Sequence, residues 1–223
     1  MRTIELSHLH KQFGDHVIFE DFSLVVEQAE MLAVVGPSGC GKSTLLNILG
    51  LIESYDDGQY HLFGQEAPQV NTQAANQLIR QHIAFLFQNF ALIDHETVAY
   101  NLKLAMKYAG LSAKEQETAI AKALETVGLS GYEQNKIYTC SGGQQQRIAL
   151  ARCMVKPCDL ILADEPTGSV DQGNRDRIIQ SLKILQAMGK TILLVSHDPA
   201  VAKQCDREVH IGPAPKTEDA SYA

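Results

Sequence analysis

The sequence predicts an α/β fold: a parallel sheet with flanking helices, an N-terminal antiparallel β-subdomain before it and an inserted α-helical subdomain. Three observations predict it. The runs "MLAVVG", "DLILAD" and "KTILLVS" read as strands, and their unbroken apolar stretches fit a sheet buried on both faces. They alternate with stretches of helical period. From about Asn89 to Pro157 the strand signal nearly vanishes while amphipathic helices continue.

The elements follow in order. "RTIELSHLHKQF" and "HVIFEDFSLVVE" alternate around a Gly14-Asp15 turn, which predicts an antiparallel hairpin or small sheet. "MLAVVG" is a buried strand, and a helix opens at about Lys42 and ends near Gly50. "QYHLFG" is a strand. "NTQAANQLIRQH" is a helix capped by Asn71 or Thr72, and "IAFLFQ" is again a strand. "TVAYNLKLAMKYAG" and "SAKEQETAIAKALETVG" are helices stopped by Gly110 and Gly128. "TCSGGQQQRIALAR" starts another helix, with Ser141 and Gln144 at capping-box spacing. "DLILAD", the helix "RDRIIQSLKILQAMG", "KTILLVS" and "REVHIG" complete the pattern. "GPAPKTEDASYA" reads as a polar tail.

Composition narrows the function classes. The 223 residues are 45% hydrophobic and 20% charged, enough for one sizeable core. The net charge of −7 argues against a broad nucleic-acid surface, so no nucleic acid is expected as a partner. Five cysteines with no C-x-x-C pair fit free thiols in a cytosolic chain. The N-terminus lacks a signal h-region, and "LLNILGLI" is too short to span a bilayer. The expectation is a cytoplasmic protein that reaches a membrane only through a partner.

Two motifs carry the chemistry. "GPSGCGKST" (Gly36, Pro37, Ser38, Gly39, Cys40, Gly41, Lys42, Ser43, Thr44) matches G-x-x-x-x-G-K-[ST] between a strand and a helix. Its glycines let backbone N–H groups face phosphates, Lys42 offsets their charge, and the Ser43 hydroxyl can ligate Mg²⁺. A nucleotide and Mg²⁺ are therefore the expected ligands, and the family resemblance given below implies that the nucleotide is ATP. Asp164 and Glu165 end a buried strand, where unpaired acids are costly. Asp164 can hold the metal directly or through water, and Glu165 is placed as general base for an attacking water. A solvated acidic loop would be the alternative. Cys40 lies inside the loop: either alkylation there blocks ATP binding and Mg-ATP protects it, or the thiol is sterically shielded.

These motifs, with "SGGQQQR" about a hundred residues after the phosphate loop, resemble the three defining motifs of an ABC-transporter ATPase, a P-loop NTPase, over nearly the whole chain. The resemblance implies that Ser141, Gly142, Gly143 and Gln144 close over the γ-phosphate of ATP held by a second copy, in a head-to-tail homodimer. It implies a Q-loop role for Gln88, touching Mg²⁺ and linking to a transmembrane permease. It places the D-loop at "SVD" with Asp171, makes His197 the switch histidine, and puts Phe13 where an aromatic stacks on adenine. A core role for Phe13 is the alternative. Residues 1–88 and 158–211 would form the nucleotide-binding core with its β-subdomain, 89–157 the helical subdomain, and 212–223 the tail. The pattern departs from the family at Cys140, where Leu is usual, and at "GSVD" in place of "GNLD" or "GALD".

"ADEPTG" and "SGGQQQR" resemble the lipoprotein-release and macrolide-export subgroup. "LFQNFALIDHETVAYNLKLAMKY" is most similar to ATPases of Gram-positive bacteriocin export, the lactococcin type. The resemblance implies ATP hydrolysis powering export of a peptide, antimicrobial or lipid-linked cargo. An ATP-driven mechanotransmission role stays open. A soluble ABC ATPase acting on nucleic acid or ribosomes would carry a coiled-coil insert or a second cassette, and this sequence shows neither. A regulator without turnover would not need Glu165 and His197.

Overall fold

The structure is a computed structural model, and it describes residues 1–168 and 172–212. Two sheets form the framework. The first is antiparallel, in the order β2-β1-β4-β5, from β1 (Arg2–Phe13), β2 (His16–Glu27), β4 (Asp57–Leu62) and β5 (Gln65–Glu66). The second is parallel, in the order β6-β7-β8-β3-β9, from β3 (Met31–Val35), β6 (Ile83–Leu86), β7 (Leu160–Asp164), β8 (Thr191–Ser196) and β9 (Arg207–His210). The hairpin predicted around Gly14-Asp15 is the β1–β2 pair, and Phe13 faces His16 across the turn.

The uninterrupted apolar strands have a simple cause. In β3, Met31, Ala33 and Val35 enter one hydrophobic core while Leu32 and Val34 enter the other. The same alternation holds in β7 and β8, where Ile161 and Ile192 point to the first core and Leu162 and Leu193 to the second. A strand buried on both faces has no polar face to show. The second core fills the space between the two sheets and takes in α1 (Lys42–Leu49) and Ala75 of α2 (Gln73–Gln81). The first core is covered by α3 (Val98–Ala105), α4 (Ala113–Thr126), α5 (Gly142–Val155) and α6 (Gln172–Ala187).

Helix ends follow their chemistry. Thr72, not Asn71, caps α2 through its hydroxyl to the Ala75 N–H. Ser112 and Glu115 close a capping box on α4, and Gly128 follows its end at φ +68°. α3 is shorter than its periodicity suggests. It stops at Ala105 and the chain continues in turns to Gly110. A 3-10 turn (Ile137–Thr139), the short α7 (Pro199–Ala202) and β5 carry too few residues to give a periodic signal.

Candidate active site

Four loops meet because four parallel strands end side by side. Val35 pairs with Ser196, Val195 with Asp164, and Ala163 with Leu86. The segments leaving β6, β7, β8 and β3 therefore carry Gln88, Asp164-Glu165, His197 and the Gly36–Thr44 loop to one edge, where α/β sheets place their ligands. They wall a cleft of about 520 Å³ lined by Ser38, Gly39, Gly41, Lys42, Ser43, Thr44, Gln88, Asp164, Glu165 and His197, with Ile18 and Gly168.

The loop's glycines are required by space. A Cβ on Gly36 would lie 2.6 Å from the Ile211 carbonyl oxygen and 2.7 Å from Cys40 Sγ. Gly41 adopts φ +96° as the cap residue of α1, and a Cβ there would strike Ile18. Because Gly41 has no side chain, α1 begins uncapped. Its first turn of N–H groups has no helical acceptor and opens to the cleft, which makes it an anion site. Lys42 is 8% exposed, and its ammonium donates to the carbonyls of Gly36 (2.8 Å) and Pro37 (2.9 Å). Cys40 does not line the cleft. It is 2% exposed and packed into the core between the sheets, so the shielded alternative holds.

The two acids sit in different surroundings. Burial, then the neighbouring Glu165 charge, pushes the Asp164 carboxyl up, while a hydrogen bond from Ser43 and the charge of Lys42 pull it down. Glu165 breaks from the strand into a left-handed backbone at φ +45°. Its N–H donates to the Val195 carbonyl (3.1 Å), and its own carbonyl accepts from Gly168 (3.1 Å). Such strain in a non-glycine residue is held only where the surroundings fix it, and it clusters at active sites. Glu165 Oε1 meets His197 Nδ1 at 2.9 Å, whereas Oε2 is buried with no hydrogen-bond partner among the described residues. Ser43, Gln88 and Asp164 all line the cleft and offer oxygen donors, a set that suits Mg²⁺ and its water shell. Among the described residues no cluster of three or more His, Cys, Asp or Glu marks another metal centre.

The remaining predicted residues lie elsewhere. Ser141, Gly142, Gly143 and Gln144 form the outer end of α5 and do not line the cleft; Ser141 and Gly142 are exposed. The capping box exists: Gln144 N–H donates to Ser141 Oγ at 3.4 Å, and Ser141 N–H to Gln144 Oε1 at 2.7 Å. The Gln144 amide also donates to the Tyr132 hydroxyl at 2.9 Å, a partner the sequence did not suggest. Phe13 is 48% exposed and lies outside the cleft lining. Its ring carries the Lys11 ammonium at 4.4 Å, and Lys11 is paired with Glu53 at 2.9 Å. An exposed ring braced by a cation is not a core residue. Asp171 lies outside the described residues. Cys140 is buried, in keeping with the apolar Leu it replaces.

Sequence reasoning missed Ile18, Gly168 and the Arg175–Asp198 pair (3.1 Å) beside His197. Gly168 stood within the quoted "ADEPTG" and could have been found. Ile18 and Arg175 had no local signal.

The chain is similar to known proteins in both sequence and fold. The sequence profile described as "ABC transporter" matches residues 19–168, more than half of the chain. The chain is 39% identical over 197 residues to the macrolide export ATP-binding/permease protein MacB of Salmonella choleraesuis, covering 87% of this chain and 30% of that one. It is 36% identical over 216 residues to MacB of Mannheimia succiniciproducens, covering 95% and 33%. The chain thus spans about a third of the length of these curated relatives. The dimeric structure of MJ0796, a bacterial ABC transporter cassette, superposes with TM-score 0.85 at 32% identity, covering 94% of each chain. Its post-hydrolysis dimer bound to ADP and Pi gives 0.84 at 32% identity, covering 93% of this chain and 94% of that one. On these matches, the chain belongs to the ABC transporter family as one of its ATP-binding cassettes.

Proposed function

We propose that two copies of this chain close head-to-tail over two ATP molecules, hydrolyse them, and so drive a separate membrane permease. The observation that carries the reading is the division of parts. Lys42, Ser43, Gln88, Asp164, Glu165 and His197 share one cleft, while the SGGQ end of α5 lies outside it with Ser141 and Gly142 exposed. An exposed helix terminus rich in small residues suits the phosphate of a second subunit better than its own.

On this reading Lys42 exchanges its two loop carbonyls for phosphate oxygens. Ser43 and Asp164 would hold Mg²⁺, which would offset the triphosphate charge. Glu165 takes a proton from water as the water oxygen attacks the γ-phosphorus and the bond to ADP breaks. His197 holds Glu165 in place and lies within reach of a terminal phosphate. Phe13, steadied by Lys11, offers its outer face to the adenine, and Asp171 would meet the partner copy.

The permease reading draws on two further facts. The curated relatives are named for both ATP-binding and permease functions. A groove of about 380 Å³ beside Gln88's segment is lined by Phe85, Phe87, Ile93, Leu104 and Tyr108, of which Ile93, Leu104 and Tyr108 are exposed. A short helix from a permease would fill it, placing the cassette on the inner face of the cell membrane. The relatives described above are macrolide exporters, so the cargo is proposed as an antimicrobial, a peptide such as a bacteriocin, or a lipid-linked molecule. Detergent-solubilised membranes passed over the immobilised chain should retain one polytopic protein, and Leu104→Glu should abolish its retention. Capture of ribosomes or DNA instead, unaffected by Leu104→Glu, would overturn the permease assignment.

A further inference from the structure

Two cations stand one helical turn apart, Arg152 in the last turn of α5 and Lys156 at its C-terminal cap. Both are turned onto the single segment that leads to Gln88. Lys156 donates to the carbonyls of Ile79 (2.8 Å) and Ile83, at the end of α2 and the start of β6. Arg152 donates to the carbonyls of Phe85 (3.5 Å), Phe90 (3.0 Å) and Ala91, on either side of Gln88. Burial pushes both groups' pKa values down. Among the described residues every acceptor for these two cations is a main-chain carbonyl, and none is a carboxylate. Phe90 and Ala91 sit at φ +62° and +46°, unfavourable for residues with a Cβ. Their carbonyls are the ones Arg152 holds at the turn. Without the guanidinium, the strained turn would relax and its carbonyls would lose a charged partner.

We infer that Arg152 is a positioning residue: its guanidinium pins the strained turn after Gln88 and so fixes where that side chain enters the cleft. Lys156 anchors the near end of the same segment. Because α5 begins at Ser141 and is a rigid rod of about four turns, the link has a second consequence. Any displacement of α5's outer end on meeting a partner is carried by Arg152 to the segment beside the neighbouring groove. The inference rests on the proposed role of Gln88 in the nucleotide site.

The chain contains no tryptophan, so Phe87→Trp, next to Gln88 and at a ring that stacks on Phe85 at 5.2 Å, gives a single local fluorescent reporter. In that background Arg152→Met should increase acrylamide quenching of the introduced indole, while Arg152→Lys, which keeps one donor, should give an intermediate value. In the native background Arg152→Met should lower kcat by roughly tenfold to a hundredfold with little change in nucleotide affinity, because a misplaced group costs rate more than binding. Combined with Gln88→Ala, the same change should cost less than about twofold, since the group it positions is gone. Unchanged quenching of the indole, or a full additional loss in the Gln88→Ala background, would overturn the positioning role. If Gln88→Ala alone leaves hydrolysis intact, the reading of Gln88 fails, and with it Arg152's effect on turnover; the quenching result then decides separately whether the turn is pinned.

Discussion

Two helices begin at glycine-rich turns in this molecule, and they begin differently. α1 starts at Gly41 with no side chain over its first N–H groups, behind a loop so tight that Gly36 has no room for a methyl group. α5 starts at Ser141 with a complete capping box, and a Cβ on Gly142 would meet nothing within 4 Å. Both termini present a positive dipole end. The first is an anion site finished within its own subunit, enclosed and strained. The second is capped as it stands and, on the proposed reading, would become an anion site only when another copy brings the anion. The same chemical device would then serve one role in cis and another in trans, with the caps and packing around it making the difference.

The largest effect that can separate the two termini comes from stopping hydrolysis. Glu165→Gln removes the proposed base but keeps the shape of the cleft. It should slow hydrolysis ~10²–10⁴-fold while ATP still binds. With both termini intact, this variant should accumulate in Mg-ATP as a dimer on size-exclusion chromatography. Adding Ser141→Arg should return it to a monomer that binds ATP as before. A double variant that still dimerises, or a monomer that no longer binds ATP, would place the α5 terminus in its own subunit's site.

Glycine-to-alanine changes test the packing side of the contrast. Gly36→Ala should cost about 1–3 kcal/mol by overpacking and weaken ATP binding in the monomer. Gly142→Ala should leave stability within about 0.5 kcal/mol and monomer binding intact. Equal costs in denaturant unfolding would erase the distinction. The same close packing bears on Cys40. Maleimide should leave it unlabelled in the folded chain, with or without Mg-ATP, and label it once the chain unfolds. Rapid labelling that Mg-ATP suppresses would mean the loop opens far more than its packing against Gly36 implies.

Much of this was legible in the sequence because it is local. The phosphate loop, the acid pair and the capping boxes each lie within a few consecutive residues, and a spacing rule can see them. The buried strands were legible because burial on both faces leaves an unbroken apolar run. What escaped were partnerships across distance. Arg152 reaches carbonyls 61 and 62 residues away, and Lys11 finds Glu53 across 42. Nothing near Arg152 in sequence marks it, since a charged residue on a helix usually faces water. α3 was read too long because its apolar residues continue through turns that pack on the same core, as buried Met106 shows. Phe13 was found only through family resemblance, and its Lys11 brace only through structure.

The smallest predicted effects carry opposite signs at the α5 terminus and in the cleft that α1 faces. Gln144 accepts from Ser141 and donates to Tyr132, so Gln144→Ala removes half a cap and should lower stability by about 1 kcal/mol. Asp164 is the reverse case. Burial holds its carboxyl above its ordinary 3.8, so the folded chain binds that proton more tightly than the unfolded chain does. The stability from this group is complete below 3.8 and is lost as pH rises through the raised value, leaving the ionised carboxylate a net cost at pH 7. Asp164→Asn should therefore raise the stability of the nucleotide-free chain at pH 7, by about 0.5–1 kcal/mol. That gain should vanish when the comparison is made at pH 3, where wild-type Asp164 is protonated too. Mg-ATP should invert the ranking. The native chain gains stability from binding through the metal, and Asp164→Asn gains much less. Thermal unfolding of both variants at pH 7, with and without Mg-ATP, reads all of this. If Asp164→Asn destabilises the nucleotide-free chain as Gln144→Ala does, the cleft does not sacrifice stability for metal binding, and the two termini are more alike than their caps suggest.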